Sequence, residues 1–266
     1  MKSTIPELAQ FLRARNVLRS TEFDPDILFK RIRRQCNGML RPEVYRAIHA
    51  TALEMPGGDA VEIGTSRGAA TVAIALACKA SRQAGRVYTI ERPSRLGSNE
   101  TKIAAIQKNF RKFDVSERIA LIMVDASRAV SELPSGVSIG LLMLDCDGRI
   151  DRDFATLYDR VVPGGSIIID DYEDRVHVRM RGGRRVGVDL KHRLTFNLVN
   201  HFMESGYIED FSVVRQTLFC RKPVTMSGKI VFDRERIQHI YYDLINTYQR
   251  IDSRFLKLLV GPLLKH

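Results

Sequence analysis

The sequence predicts an α/β protein with a doubly wound, mostly parallel sheet, on three observations. Short apolar runs of strand length alternate with longer amphipathic segments through the middle of the chain. Two of the runs, Leu141-Leu142-Met143-Leu144 and Ser166-Ile167-Ile168-Ile169, are almost continuously apolar, as strands covered on both faces are. The segments between runs are long enough to serve as the crossovers that parallel pairing requires. A length of 266 residues accommodates one large α/β core with short appendages, and is too short for two full-sized catalytic domains.

Apolar residues at the N-terminus recur at helical spacing (Leu8, Phe11 and Leu12, later Leu40, Val44, Ile48 and Ala52), which predicts a helical extension over residues 1–55. Strands are expected at 59–63, 86–90, 119–124, 139–144 and 166–170. The helices between them are expected at 69–83, 102–113, a short stretch near 127–133, and 152–161. After a further helix at 194–205, two β-rich runs parted only by Arg215 and Gln216 predict an antiparallel hairpin at the sheet edge, which ends a core domain at 56–223. Residues 224–266 return to helical periodicity through Ile237, Ile240, Tyr241, Leu244 and Tyr248, a tail suited to packing on the domain, lying on an anionic membrane or, like the N-terminal helices, pairing two copies as a homodimer.

The net charge of +11 points to an acidic partner such as nucleic acid, anionic lipid, or a phosphorylated or carboxylated substrate. Basic residues gather at Arg13, Arg15, Arg19, Lys30, Arg31, Arg33 and Arg34, in 175–193, and in the C-terminal tail. The first and last groups read as solvated helix faces. The middle one reads as a loop whose arginines can hold phosphate or carboxylate and whose Gly182, Gly183 and Gly187 let it close over substrate. Cys36, Cys78, Cys146 and Cys220 stand singly, with neither disulfide nor zinc spacing, which fits a reducing, cytoplasmic setting. No apolar run has the length of a signal peptide core or a membrane span.

Ligands of an open parallel sheet gather at the carboxyl ends of its strands, and here each expected strand end carries an acid. The first strand runs into Glu62-Ile63-Gly64-Thr65-Ser66-Arg67-Gly68, whose glycines allow a tight turn and close approach of a ligand to the backbone. It lacks the G-x-G-x-x-G spacing of a dinucleotide site. The second ends at Glu91, whose carboxylate can accept from both hydroxyls of a ribose. The third ends at Asp125-Ala126, where an acceptor can meet the exocyclic amine of an adenine. In this order the three ends suit one adenosine laid along the sheet edge. The fourth and fifth ends deliver Asp145, Asp147, Asp170 and Asp171 to one place. Such carboxylates repel unless protons or a cation compensate, and hard oxygen ligands suit magnesium or a related divalent ion.

With these residues, the chain resembles the class I S-adenosylmethionine-dependent methyltransferases, and more narrowly the metal-dependent small-molecule and sugar O-methyltransferases that include macrocin O-methyltransferase. The resemblance covers residues 37–223. It rests on NGMLRPEVYRAIHATALEMPGGDAVEIGTSRGAATVAIA, on LLMLDCDGRIDRDFATLYDRVVPGGSIIIDDYED, and on the closing hairpin. It implies a Rossmann-like, seven-stranded sheet with an antiparallel terminal hairpin. The implied S-adenosylmethionine site comprises Glu62, Gly64, Thr65, Ser66, Gly68, Glu91, Asp125, Ala126 and Asp145. The implied metal ligands are Asp145, Asp170 and Asp171, for magnesium or another divalent cation, and Asp147 is the implied general base. Catechol-type relatives carry a lysine shortly after the first acid and an asparagine after the last, where this chain has Gly148 and Tyr172. Macrolide and aminocoumarin sugar methyltransferases continue the acidic motif with a tyrosine-glutamate pair, where Gly148-Arg149-Ile150 stands here.

The reaction so implied is in-line attack of a substrate hydroxyl on the sulfonium methyl, with Asp147 or His177 taking the proton. The acceptor is a small molecule or sugar, and the basic segment makes an anionic one attractive. RNA ribose methylation is an alternative that the basic charge favours, and a cofactor-binding module without turnover is another. Base methylation of nucleic acid is disfavoured, since Asp145-Cys146-Asp147-Gly148 stands where such enzymes carry an Asn or Asp followed by two prolines and an aromatic.

Overall fold

A computed structural model describes residues 25–81, 85–94, 97–226 and 230–248. Two helices, α1 (Pro25–Gln35) and α2 (Pro42–Leu53), lead into β1 (Asp59–Ile63). Then follow α3 (Ala69–Ala80), β2 (Val87–Glu91), α4 (Asn99–Lys112), β3 (Ile119–Met123), the short α5 (Ala129–Glu132), β4 (Ile139–Leu144), α6 (Ile150–Leu157) and β5 (Val161–Ile169). A separate hairpin, β6 (His177–Arg181) and β7 (Arg184–Asp189), precedes α7 (Lys191–Glu204). The edge hairpin β8 (Glu209–Val214) and β9 (Thr217–Arg221) and the helix α8 (Arg234–Tyr248) follow.

The main sheet has seven strands in the order β3-β2-β1-β4-β5-β9-β8. The first five are parallel and β9 enters antiparallel to β5; the order in which strands are added reverses between β1 and β4. Strand ends splay apart at such a reversal and leave a crevice for a ligand. All six residues of β4 are buried, as expected of a strand covered on both faces. Its side chains divide between two cores. Leu141 and Met143 meet α1 to α4 on one face, and Ile139, Leu142 and Leu144 meet α5 to α8 on the other.

Helix α3 has ten of its twelve residues buried because α2 lies across it as it lies across the sheet. Alanine supplies half of its residues, which lets helix and sheet approach closely. On the opposite face Phe154 of α6 stacks on Phe202 of α7, ring centroids 4.7 Å apart and planes nearly parallel, and Phe202 stacks in turn on Phe232. Ile237, Ile240, Tyr241 and Leu244, the apolar stripe of α8, are buried in that same core. No helix among the described residues is long and apolar enough to cross a membrane.

Two expectations need correction. The fifth strand starts at Val161, whereas the sequence pattern gave 161 to a helix and 162–165 to a turn. The glycines are drawn into the sheet by pairing across the edge: Gly164 N–H donates to Lys222 O at 3.0 Å and Lys222 N–H to Gly165 O at 2.9 Å. The segment 175–193, expected as a loop, folds as β6, β7 and the start of α7. Gly182 and Gly183, both at positive φ (55° and 74°), form the two-residue turn that lets it double back. Of the basic clusters, Arg13, Arg15, Arg19 and the last residues of the tail lie outside the described residues.

Phe154 is fully buried and stacked between Tyr158 and Phe202, so Phe154→Ala leaves a cavity that aliphatic neighbours cannot fill. A loss of about 3–5 kcal/mol is expected. Urea denaturation followed by far-ultraviolet circular dichroism measures it, and a loss below about 1 kcal/mol would mean that the stack is not part of a packed core.

Candidate active site

The turn after β1 is built by close approach of two backbones. Gly64 (φ 103°) lies so near β4 that a Cβ would sit 1.7 Å from the carbonyl oxygen of Asp145. Only glycine lets the ends of β1 and β4 meet there. Gly68, also left-handed, starts α3 beneath the ring of Phe110. Ser66 takes a positive φ of 52°, which turns its N–H onto Glu91 Oε2 at 2.6 Å and joins the first turn to the end of β2.

Glu62 points away from this crevice, down between sheet and α3. It is 1% exposed, and its Oε2 accepts the hydroxyls of Thr71 and Thr89 at 2.5 Å each. Thr89 spends its proton on Glu62, so in the 2.5 Å contact between Thr65 and Thr89 the Thr65 hydroxyl is the donor. Burial pushes the Glu62 carboxyl up to about 7 against the opposing pull of the two hydroxyls. Its Oε1 has no hydrogen-bond partner among the described residues.

At the end of β2, Glu91 is gripped by Lys102 Nζ, 2.6 Å from Oε1; the same ammonium donates to Arg92 O at 2.7 Å. At the end of β3, Asp125 caps a single 3-10 turn, accepting from the N–H of Ser127 at 3.1 Å and its hydroxyl at 2.8 Å. The Ser127 N–H in particular holds the Asp125 carboxyl below the usual carboxylate range, with the Ser127 hydroxyl, Arg152 and Arg92 adding to it.

The fourth and fifth strand ends form an acid cluster. Asp145, Asp170 and Asp171 bring carboxylate oxygens within 4.8 Å of one another. In an extended strand, consecutive residues face opposite sides. Asp171 instead adopts the left-handed region (φ 60°), which aspartate tolerates, and both acids turn toward Asp145. Burial, then Asp170, raises Asp145 to about 8 despite the opposing Lys191; burial and Asp171 raise Asp170, whose Oδ1 accepts the Thr217 hydroxyl at 2.6 Å. Lys191, in the first turn of α7, places its ammonium against Asp171 and 3.7 Å from Asp145. These two carboxylates hold the Lys191 ammonium well above its ordinary value despite burial. Gly148 makes room for it, since a Cβ there would come within 3.0 Å of Lys191 Cγ.

A cavity of about 870 Å³ joins these pieces. Of the residues singled out from sequence, Gly64, Ser66, Glu91, Asp125, Ala126, Asp145 and Asp147 line it. Glu62 and Thr65 border a smaller pocket under the turn, Gly68 begins the helix behind it, and Asp170 and Asp171 stand behind Asp145. Asp147 accepts the N–H of Arg149 at 3.1 Å and faces the guanidinium of Arg152 at 3.3 Å. His177 lies off the cavity wall, against Glu173 and His192. Sequence reasoning missed Lys102, Arg152 and Lys191 as wall residues. Lys102 follows Glu91 by one strand-to-helix connection and was within reach of such reasoning, whereas Lys191 meets Asp145 from 46 positions away with no local signal.

Residues 61–172 match the family model described as a methyltransferase domain. No curated relative matches the chain. Among solved structures, cofactor-bound Rv0187 from MTB is 15% identical, covering 84% of this chain and 99% of that one, with a TM-score of 0.56. The O-methyltransferase TomG of Streptomyces achromogenes, involved in tomaymycin synthesis and solved with S-adenosylmethionine, is 12% identical over 80% of this chain and 96% of its own, with a TM-score of 0.52. The Podospora anserina methyltransferase PaMTH1, bound to S-adenosylhomocysteine, is 17% identical over 84% and 98%, with a TM-score of 0.54. These likenesses concern the fold. Together with the domain match over residues 61–172, they show the fold of a methyltransferase domain.

Because Glu62 binds its proton more tightly in the fold than in the unfolded chain, it favours the folded state in acid. That contribution is fully present below the ordinary carboxylate value of 4.5, falls as the pH rises, and is lost on passing about 7. Glu62→Gln keeps the acceptor for Thr71 and Thr89 and removes the titration. Its urea midpoint is expected to fall less than that of the wild type between about pH 5 and about pH 8, and parallel falls would show that Glu62 is not the titrating group.

Proposed function

We propose that this protein transfers the methyl group of S-adenosylmethionine to a hydroxyl of a small molecule or sugar, with a divalent cation of the magnesium class at the acid cluster. The observation that carries the reading is the single cavity in which the glycine turn, Glu91, Asp125 and the Asp145–Asp147 segment share one wall. Its volume falls in the range of about 300–1,000 Å³ usual for small-molecule sites. Glu91 would accept from the ribose hydroxyls, and the Ser66 N–H and Lys102 that hold its two oxygens fix its orientation. Asp125, kept ionised by Ser127, would accept from the adenine amine. The backbone of the Gly64–Ser66 turn, on the cavity wall, would receive the methionine part. The likeness to an O-methyltransferase solved with its methyl donor is in keeping with oxygen as the acceptor.

The acid cluster fits a divalent ion by its donor chemistry and its charge. Fully ionised, the three carboxylates against the one ammonium of Lys191 would leave two negative charges, so a dication could take the place of the protons that burial and mutual repulsion favour on Asp145 and Asp170. Asp145, Asp170 and Asp171 would hold it through the hard oxygen donors that magnesium prefers. When bound, it supplies Lewis-acid stabilisation to a deprotonated acceptor oxygen. Asp147, on the cavity wall beyond Asp145, would take the hydroxyl proton, and Arg152 and the Arg149 N–H keep its carboxylate in place for that task. Lys191 holds Asp145 and Asp171 together, so the site is positioned before any ligand arrives.

Titration calorimetry of cofactor-stripped protein with S-adenosylmethionine is expected to show saturable binding. Glu91→Ala should weaken it by roughly 10–100-fold, the worth of hydrogen bonds to a charged acceptor. No binding by folded wild type at millimolar cofactor overturns the reading.

With a panel of hydroxylated acceptors and magnesium, Asp147→Asn should lower kcat by about 100–10,000-fold at little cost in cofactor affinity. Removal of magnesium with EDTA should lower turnover in the wild type. Undiminished turnover by Asp147→Asn would dismiss Asp147 as the base, and undiminished turnover in EDTA would dismiss the cation.

A further inference from the structure

Next to the acid cluster, and not among the residues lining the cavity, lies a second group of ligating side chains that the methyl-transfer reading does not use. Glu173 sits in the segment joining β5 to β6, His177 opens β6, and His192 lies in the first turn of α7. One carboxylate oxygen and one ring nitrogen from each histidine come within 4.8 Å of one another. His177 Nε2 stands 3.8 Å from Glu173 Oε2, and the two imidazoles face each other with centroids 4.3 Å apart.

The hydrogen-bonding pattern shows which atoms are available. His177 Nε2 and His192 Nδ1 are both shielded from solvent, and neither has a hydrogen-bond partner among the described residues. Buried polar atoms are ordinarily satisfied, so two unsatisfied nitrogens in one small pocket call for a ligand that neither ring can supply to the other. The other nitrogen of His192, Nε2, lies 2.9 Å from Asp171 Oδ1. A carboxylate in that position keeps the ring proton on Nε2 and leaves the Nδ1 lone pair free, the arrangement in which a carboxylate orients a metal-binding histidine.

We propose that Glu173, His177 and His192 form a binding site for a borderline divalent transition ion of the zinc type, separate from the hard-oxygen cluster. Two imidazoles and one carboxylate make up a donor set that zinc-like ions favour and magnesium does not. Tetrahedral zinc places its ligands about 3.3 Å apart, so the three must draw inward by up to about 1.5 Å from their widest separation. Glu173 can provide that movement because it stands in a connecting segment and not in a strand or helix. Glu173 and His177 are 36% and 39% exposed, which gives the ion an entry and leaves a fourth position for water. The bound ion would fasten the β6–β7 hairpin to α7 and to the end of β5. Asp171, in contact with both His192 and Lys191, would be common to this site and the acid cluster.

The test is titration of the full, chelator-stripped chain with zinc by competition calorimetry, and with cobalt(II) followed by visible absorption. One zinc per chain is expected, with a spectrum lacking thiolate-to-cobalt charge transfer. His177→Ala and His192→Ala should each weaken zinc by about 100-fold or more, since each removes one of three protein ligands. Cys146→Ser and Asp170→Asn, which alter the neighbouring groups, should leave zinc affinity within about twofold. Zinc affinity that survives both histidine substitutions overturns the proposal. Loss in Cys146→Ser overturns it in favour of the Cys146, Asp147 and Asp153 group, and loss in Asp170→Asn in favour of the acid cluster. Far-ultraviolet circular dichroism checks that each variant is folded, and S-adenosylmethionine binding by the wild type reads the methyltransferase assignment independently of zinc.

Discussion

Carboxylates gathered at the end of a parallel sheet need positive charge close by, and in this protein Lys191 brings it from the first turn of a helix formed much later in the chain. Its ammonium touches Asp171 and lies 3.7 Å from Asp145, so it ties the ends of the neighbouring strands β4 and β5 together. Much of the local backbone conforms to this contact. Gly148 is without a side chain where Lys191 passes, Asp171 adopts a left-handed conformation so that consecutive acids face the same way, and β6–β7 doubles back so that α7 starts beside the cluster. Pairing of this kind adds little net stability once desolvation is counted. Its contribution here is to fix geometry on the cavity wall.

Glu62, a buried carboxyl outside that cluster, is handled differently. It receives no cation and instead two threonine hydroxyls, with burial holding its proton up to about 7. The chain of hydroxyls from Thr65 through Thr89 to Glu62 stiffens the floor beneath the glycine turn, while Gly64 presses against the Asp145 carbonyl from the other side. The turn is thereby held between a buried hydrogen-bond network and a neighbouring strand end. A rigid frame of this sort suits a site that must align donor and acceptor within a fraction of an ångström.

Beyond Asp171 the same economy continues. One carboxylate contacts Lys191 through one oxygen and His192 through the other, so the cavity wall and the histidine pair beside it share a hinge residue. The hairpin β6–β7, whose sequence is rich in arginine and glycine, is thereby anchored at both ends to the residues that shape the site. Its placement beside the acid cluster follows from the anchoring of α7 and from Val188, which is buried in the core, whereas Val178 and Met180 remain exposed.

The sequence by itself determined the strand order of events: which runs are strands, that they are parallel and covered on both faces, and that acids and glycines stand at their carboxyl ends. Each is encoded locally, in the two-residue period of strands, the length of the crossovers and the permissiveness of glycine, so β1 and β4 fell at their expected bounds. The hairpin 177–189 escaped because charged residues interrupt its alternation, and β5 was shortened because its glycines pair only across the edge to Lys222. Tertiary structure alone decided that Glu62 turns away from the cavity, that His177 faces His192, and that Lys191 meets Asp145 and Asp171. Those outcomes depend on which helix packs against which strand end, and charges brought together across tens of residues leave no periodic trace in the chain.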